Sequence, residues 1–137
     1  ENALVKDLDA AIRIVTSLKN QGVRVSIDDF GAGYSSLQHL SVLPFDKIKI
    51  DRSFIIGRHD QPDGEKIVSA IVGLGKSLGL PTTGEGIETK ENADWLLEIG
   101  CTFGQGWHFG RPVPADKVGE LLAAAATIDD GEARISA

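Results

Sequence analysis

Two adjacent carboxylates, Asp28 and Asp29, stand between a short apolar run and a glycine-rich turn. Val23, Val25 and Ile27 alternate with polar residues, and this period predicts a strand that ends at the two acids. Neighbouring strand residues point to opposite faces, so both carboxylates share a direction only where the backbone turns, and the Phe-Gly-Ala-Gly sequence that follows supplies a turn. Such a pair can hold a hard cation such as Mg²⁺ or Mn²⁺. The alternative is a solvated loop with an Asx turn.

Polar side chains also stand where three other strands are predicted to end. Asp51 closes an alternating run that carries Lys49. Glu85 closes the next run, and Gln105 follows the last one. Because the carboxyl ends of parallel strands meet at one edge of a sheet, we expect these side chains to lie near Asp28. A structural ion pair is the alternative reading of any single acid.

Helical and strand periods alternate along the chain. The predicted helices cover residues 4–20, 35–43, 65–78, a segment that begins at Thr89 and ends at Gly100, and 114–126. The first predicted strand begins at Val23 and ends at the two acids, and the others cover 46–51, 80–85 and 101–103. The polar segment 57–64 is expected to be a turn-rich connection. One helix followed by four strand-helix units predicts an α/β fold with a parallel sheet. A (β/α)8 barrel and a doubly wound sheet both fit this order.

Length and charge restrict the class of protein. The 137 residues, 42% of them hydrophobic, predict a single domain over residues 1–137, with a polar tail that frays from about residue 129. The formal net charge of -6 repels nucleic-acid polymers and anionic membrane surfaces. A small phosphorylated ligand held through a metal ion is compatible with this charge.

Cysteine use and hydropathy suggest a compartment. Cys101 is the single cysteine, so an internal disulfide is excluded and a reducing cytoplasm is expected. We interpret Cys101 as a small buried hydrophobe rather than a nucleophile. The longest apolar run, residues 67–74, is too short to span a bilayer, and the first residues lack a signal-peptide pattern. No direct membrane insertion is therefore predicted.

Four segments together resemble one protein family. They are DDFGAGYSSL at 28–37, KIDRSFI at 49–55, GEGIET at 84–89 and QGWHFGRPVP at 105–114. The segments and the lengths between them closely resemble the EAL family of bacterial cyclic di-GMP phosphodiesterases. The resemblance implies a modified TIM barrel, of which this chain matches roughly the C-terminal half, because a complete barrel typically needs about 250 residues. The expected fold is therefore a partial (β/α)8 barrel of about four consecutive strand-helix units.

The resemblance also implies roles for individual residues. Asp28 and Asp29 match residues that help to bind the catalytic metals, and Lys49 matches a lysine beside the metal-bound water. Glu85 matches an acid assigned to metal binding or to general-base catalysis. Three supporting positions complete the expected set: Glu1, Glu88 and Gln105.

The implied reaction is hydrolysis of cyclic di-GMP to the linear dinucleotide with two Mg²⁺ or Mn²⁺ ions. The family's Glu-Ala-Leu signature is absent, as are an asparagine and a glutamate of its metal shell. Thr82 and Thr83 stand where aliphatic residues are usual, and Gly84 stands where alanine is usual. The chain alone is therefore expected to be a poor enzyme.

Two alternatives are a non-catalytic module that binds cyclic di-GMP or a protein partner, and a truncation product without activity.

Four parallel strands cannot close a barrel by themselves, so unpaired strand edges and apolar interior side chains are expected to be exposed. A dimer through EAL-type or half-barrel contacts would cover them. The expected location is the cytoplasm, with tethering to a membrane through other domains as one arrangement of the parent protein.

Overall fold

The computed structural model of the chain describes residues 8–31, 37–58 and 63–126. Six α-helices and four strands lie along these residues, with one or two helices between successive strands. They are α1 (Leu8–Asn20), β1 (Ser26–Phe30), α2 (Leu37–Val42), β2 (Lys47–Ile50), α3 (Arg52–Ile56), α4 (Gly64–Leu78), β3 (Thr82–Gly84), α5 (Lys90–Glu98), β4 (Phe103–Gly104) and α6 (Val118–Ala126), which a short 3₁₀ turn (Ala115–Lys117) precedes.

The four strands form one sheet in the order β1-β2-β3-β4, and every neighbouring pair is parallel. Each crossover contains at least one helix. The predicted α/β fold with a parallel sheet and about four strand-helix units is therefore confirmed. Among the described residues, no helix has the length and apolar character that a membrane span requires.

One face of the sheet packs against helices α3, α4 and α5. Ile48 and Ile50 of β2 are completely buried on this face, and Gly75 of α4 approaches the side chains of Ile48 and Thr82. Gly84 of β3 lies against Leu96 of α5 in the same layer. Alternate residues point to the opposite face, which carries the lysines of β2.

The local signals at helix ends are confirmed. Gly79 ends α4 in the left-handed conformation with φ +67°, and the Thr89 hydroxyl caps α5 by accepting a hydrogen bond from the Asn92 N–H at 3.2 Å. The first residues of the helices predicted at 4–20 and 35–43 lie outside the described residues, as does the whole of the predicted tail.

All four strands differ from their predicted bounds, and β2 (Lys47–Ile50) and β3 (Thr82–Gly84) are shorter at both ends than predicted. β1 begins at Ser26 rather than Val23 and runs through both acids, because the Val23 N–H bonds to the Leu18 carbonyl and closes the end of α1. The Val25 N–H bonds instead to Asp46. The last strand was predicted at 101–103 but lies at Phe103–Gly104.

The five-residue helix α3 was not predicted. It lies between the strand predicted at 46–51 and the turn-rich connection predicted at 57–64. Asp51 caps its first turn, since its carboxylate accepts hydrogen bonds from the N–H of Ser53 at 2.8 Å and from the Ser53 hydroxyl. A helix this short has too few residues to show a hydrophobic period.

Candidate metal centre

A β-bulge explains how two consecutive aspartates come together. Ile27 pairs with Ile48 and Phe30 pairs with Ile50, so β1 has two residues between these pairs where β2 has one. Asp29 takes the left-handed conformation with φ +53°, which is uncommon for a residue other than glycine. The extra residue redirects a side chain that would otherwise alternate to the opposite face. Asp28 and Asp29 therefore reach the same site.

The carboxylates of Asp28, Asp29 and Glu85 form one group at the carboxyl ends of β1 and β3. One oxygen from each of the three side chains lies within 4.8 Å of the others. Octahedral Mg²⁺ with ligands at about 2.1 Å has neighbouring ligand oxygens about 3 Å apart and opposite ones about 4 Å apart. The three oxygens therefore fit a hard divalent cation after a small inward movement, and carboxylate is the ligand type such a cation prefers.

Lys49 of β2 lies between two of these acids. Its Nζ is 2.7 Å from Oδ1 of Asp28 and 2.5 Å from Oε1 of Glu85. Partial burial lowers the pKa of Lys49, but the hydrogen bonds to the two carboxylates outweigh that effect, and the pKa lies above its ordinary value. The ammonium group therefore stays charged and offsets part of the negative charge of the group.

Asp51 is an additional acid beside the three. Loss of hydration, then the negative charges of Asp28 and Asp51, raises the pKa of the Asp29 carboxyl, although this residue is exposed. Hydrogen bonds from Ser53 lower the pKa of Asp51. Sequence reasoning noted Asp51 at a strand end but assigned it no role. The available signal was its position at a predicted strand end, two residues after Lys49.

Two of the predicted supporting residues, Glu88 and Gln105, lie on the surface. Glu88 is exposed and lines a shallow surface pocket with Ile56, Thr89 and Asn92. Gln105 is also exposed, and its backbone bonds to Gly84 on one side and to Ile87 on the other. Glu88 is not a member of the acidic group found among the described residues. Glu1 lies outside those residues.

The loop from Glu85 to Glu88 is held from two sides. Gly86 has φ +69° and lies against Arg52 of α3, where a Cβ would overlap the Arg52 side chain. Gly106 approaches the backbone of Ile87 so closely that a Cβ at this position would overlap it. The Ile87 N–H donates to the Gln105 carbonyl at 3.1 Å. These contacts fix the backbone that presents Glu85.

The model of the EAL domain family matches residues 1–112. The chain belongs to the EAL domain family. Bifunctional diguanylate cyclase/cyclic di-GMP phosphodiesterase MucR of Pseudomonas aeruginosa is 45% identical over 126 residues, which are 92% of this chain and 18% of MucR. The chain spans between 14% and 18% of the length of its first three curated relatives.

Solved EAL domains have the same fold as this chain. The structure of the MucR phosphodiesterase in complex with c-di-GMP superposes with a TM-score of 0.79 at 45% identity, covering 84% of this chain and 47% of that one. The EAL domain of Mycobacterium smegmatis DcpA gives a TM-score of 0.83 at 40% identity, covering 90% and 56%. The manganese/cy-diGMP complex of Klebsiella pneumoniae BlrP1 gives 0.72 at 35% identity, covering 80% and 28%. The predicted family and partial barrel are confirmed.

Proposed function

We propose that this chain supplies the catalytic carboxylates and lysine of a phosphodiesterase that hydrolyses cyclic di-GMP to the linear dinucleotide. The main support is the group formed by Asp28, Asp29 and Glu85. Lys49 is bonded to two of these three acids. Membership of the EAL family supports cyclic di-GMP as the substrate class, because the MucR structure contains that ligand. Regulatory second-messenger signalling in the cytoplasm is the setting we propose.

The residues divide the work by charge and position. Asp28 and Asp29 would hold Mg²⁺ or Mn²⁺, and Glu85 would bind a cation or accept the proton of the attacking water. Two bound divalent cations would neutralise phosphoryl oxygens and activate water. Lys49 adds a fixed positive charge beside the reacting phosphate. Glu88, Gln105 and Glu1 are proposed as supporting residues.

Self-association is a second part of the proposal. Within the described residues, β1 and β4 each have one paired neighbour, so each leaves a strand edge. Every residue from 110 to 123 is exposed, including the apolar Val118, Leu121 and Leu122. A dimer in which two half-barrels cover each other would bury these features.

A chimera tests the catalytic proposal in the context of a complete EAL domain. The matching segment of the MucR domain is replaced by this chain, and linear dinucleotide is measured by chromatography with Mn²⁺ or Mg²⁺. We expect turnover, and we expect Asp28→Asn to lower it at least about tenfold. Asp94→Asn, which changes an exposed i,i+4 pair with Lys90, should leave it unchanged.

The isolated chain should hydrolyse cyclic di-GMP very poorly, since it offers only part of a two-metal ligand set. A folded chimera that binds cyclic di-GMP without turnover would contradict catalysis and favour a binding module. Equal activity of the Asp28→Asn and parent chimeras would show that the site lies elsewhere.

A further inference from the structure

Thr83 of β3 carries a buried hydroxyl without a partner. The residue is only 3% exposed, and its Oγ1 has no hydrogen-bond partner within residues 8–31, 37–58 and 63–126. Buried polar atoms in folded proteins are almost always hydrogen-bonded, so an exception calls for a reason. The neighbouring Thr82 is equally buried, but its hydroxyl contacts the Cys101 Sγ at 3.4 Å.

The sheet register places Thr83 beside Lys49. The two residues are direct partners in the pairing of β2 with β3, and partners in a sheet have side chains on the same face. Thr82 lies on the other face, where its methyl group contacts Gly75 of α4. Thr83 therefore shares the face of Lys49 and lies one strand spacing, about 4.8 Å, away.

In this structure, Lys49 forms ion pairs with two of the carboxylates that would bind a cation. Its ammonium is bonded to Asp28 and Glu85, both members of the candidate metal group. If Asp28 and Glu85 held a divalent cation, Lys49 would lose these acceptors, and its positive charge would be repelled. The half-buried ammonium then needs another acceptor, and the four flexible carbons of lysine allow it to reach the next strand.

We propose that Thr83 is a positioning residue for Lys49, whose hydroxyl accepts a hydrogen bond from the Lys49 ammonium when a divalent cation occupies the carboxylates of Asp28, Asp29 and Glu85. Lys49 thus moves between two sets of acceptors, and Thr83 makes cation binding easier by satisfying the displaced ammonium. This inference rests on the proposed metal site.

The test measures Mn²⁺ binding to the full chain by electron paramagnetic resonance, in which free Mn²⁺ gives the signal. Four proteins form a double-mutant cycle: the parent, Thr83→Val, Lys49→Gln and the double variant. Thr83→Val keeps the side-chain shape and removes the hydroxyl. We expect it to weaken Mn²⁺ binding about fivefold, the size of one net hydrogen bond, and to have no effect in the Lys49→Gln background.

Thr82→Val is the matched control. It removes a buried hydroxyl from the adjacent residue on the opposite face and should leave Mn²⁺ affinity unchanged. Urea unfolding without metal separates folding from binding. Thr83→Val should be at least as stable as the parent, because an unpartnered buried hydroxyl is lost, whereas a structural role for that hydroxyl would lower the urea midpoint.

Each contrary result identifies the step that failed. Unchanged Mn²⁺ affinity in Thr83→Val, with binding by the parent that Asp28→Asn abolishes, overturns the role of Thr83 and leaves the metal site intact. An equal loss with and without Lys49 overturns the link between Thr83 and Lys49. Failure of the folded parent to bind Mn²⁺ overturns both the metal site and this inference.

Discussion

The Nζ of Lys49 lies 2.5 Å from Oε1 of Glu85, so a side chain of β2 holds the acid that follows β3. The same Nζ lies 2.7 Å from Asp28 beside the bulge of β1. Lys49 thus connects three neighbouring strand ends through its own side chain. If these contacts are only a structural ion pair, the acids should not bind a divalent metal. If the acids form a cation site in which Lys49 bonds to two of the ligands, they should bind one.

A comparison of two aspartates separates these explanations. Asp28 and Asp46 each accept a hydrogen bond from a lysine at 2.7 Å, but only Asp28 belongs to the candidate metal group. Asp28→Asn should weaken Mn²⁺ binding at least about tenfold, because it removes a charged ligand. Asp46→Asn should not change it. Calorimetric titration with Mn²⁺ measures both, and equal affinities of the two variants would contradict the site.

A glycine pair tests whether the loop around Glu85 is held by close backbone contact. Gly106→Ala should destabilise the fold by about 2 kcal/mol and weaken Mn²⁺ binding, because the new Cβ overlaps the backbone of Ile87. Gly73→Ala on α4 meets no atom within 4 Å and should stabilise the chain by about 1 kcal/mol through helix propensity. Urea unfolding checks both signs. If Gly106→Ala left the free energy of unfolding unchanged, the loop would have adjusted to the new Cβ without cost.

The approach of the acids to one another could be predicted from sequence, but the geometry that brings them together could not. Strand ends in a parallel sheet converge, which was sufficient to group Asp28 and Asp29 with Glu85, whereas the family resemblance supplied the place of Lys49. The bulge that turns Asp29 toward the same site depends on how β1 pairs with β2, and no local pattern encodes that pairing. For this reason β1 was expected to end at the two acids, whereas it continues through them to Phe30.

The fold followed the same division between local and long-range signals. Caps such as Thr89 and the terminating Gly79 are local and were predicted correctly. The placement of Thr83 beside Lys49 arises from strand register, and its unpartnered hydroxyl arises from burial by distant residues. Neither the register nor the burial can be predicted from the residue type at one position.

The ion pair between Lys19 and Asp46 predicts a pH dependence of stability. The hydrogen bond from Lys19, then one from the Val25 N–H, holds the pKa of Asp46 below its ordinary value. A carboxylate with a lowered pKa in the folded state stabilises that state above the unfolded pKa of about 3.9, and the stabilisation is lost as the pH falls through the lower folded value. Asp46→Asn should therefore be less stable than the parent at pH 7.

The difference between these two proteins should shrink as the pH falls below about 4, because the parent then loses the same charge. Urea midpoints at pH 7 and pH 3 measure it. Asp94→Asn, on an exposed pair with Lys90, should change the midpoint little at pH 7. A gap between Asp46→Asn and the parent that is the same at both pH values would show that charge is not its cause.

Helix α6 predicts that the chain associates with itself. Most of the stability of a short helix comes from packing an apolar face, yet Leu121 and Leu122 are exposed together with every other residue from 110 to 123. Helix α1, by contrast, buries Ala11 and Val15. Leu122→Glu should therefore shift the chain toward the monomer, whereas Ile14→Glu, at the same 61% exposure on α1, should not. Light scattering over a range of concentrations measures the mass, and a parent that stays at 14.6 kDa throughout would mean that α6 has no partner in a second copy.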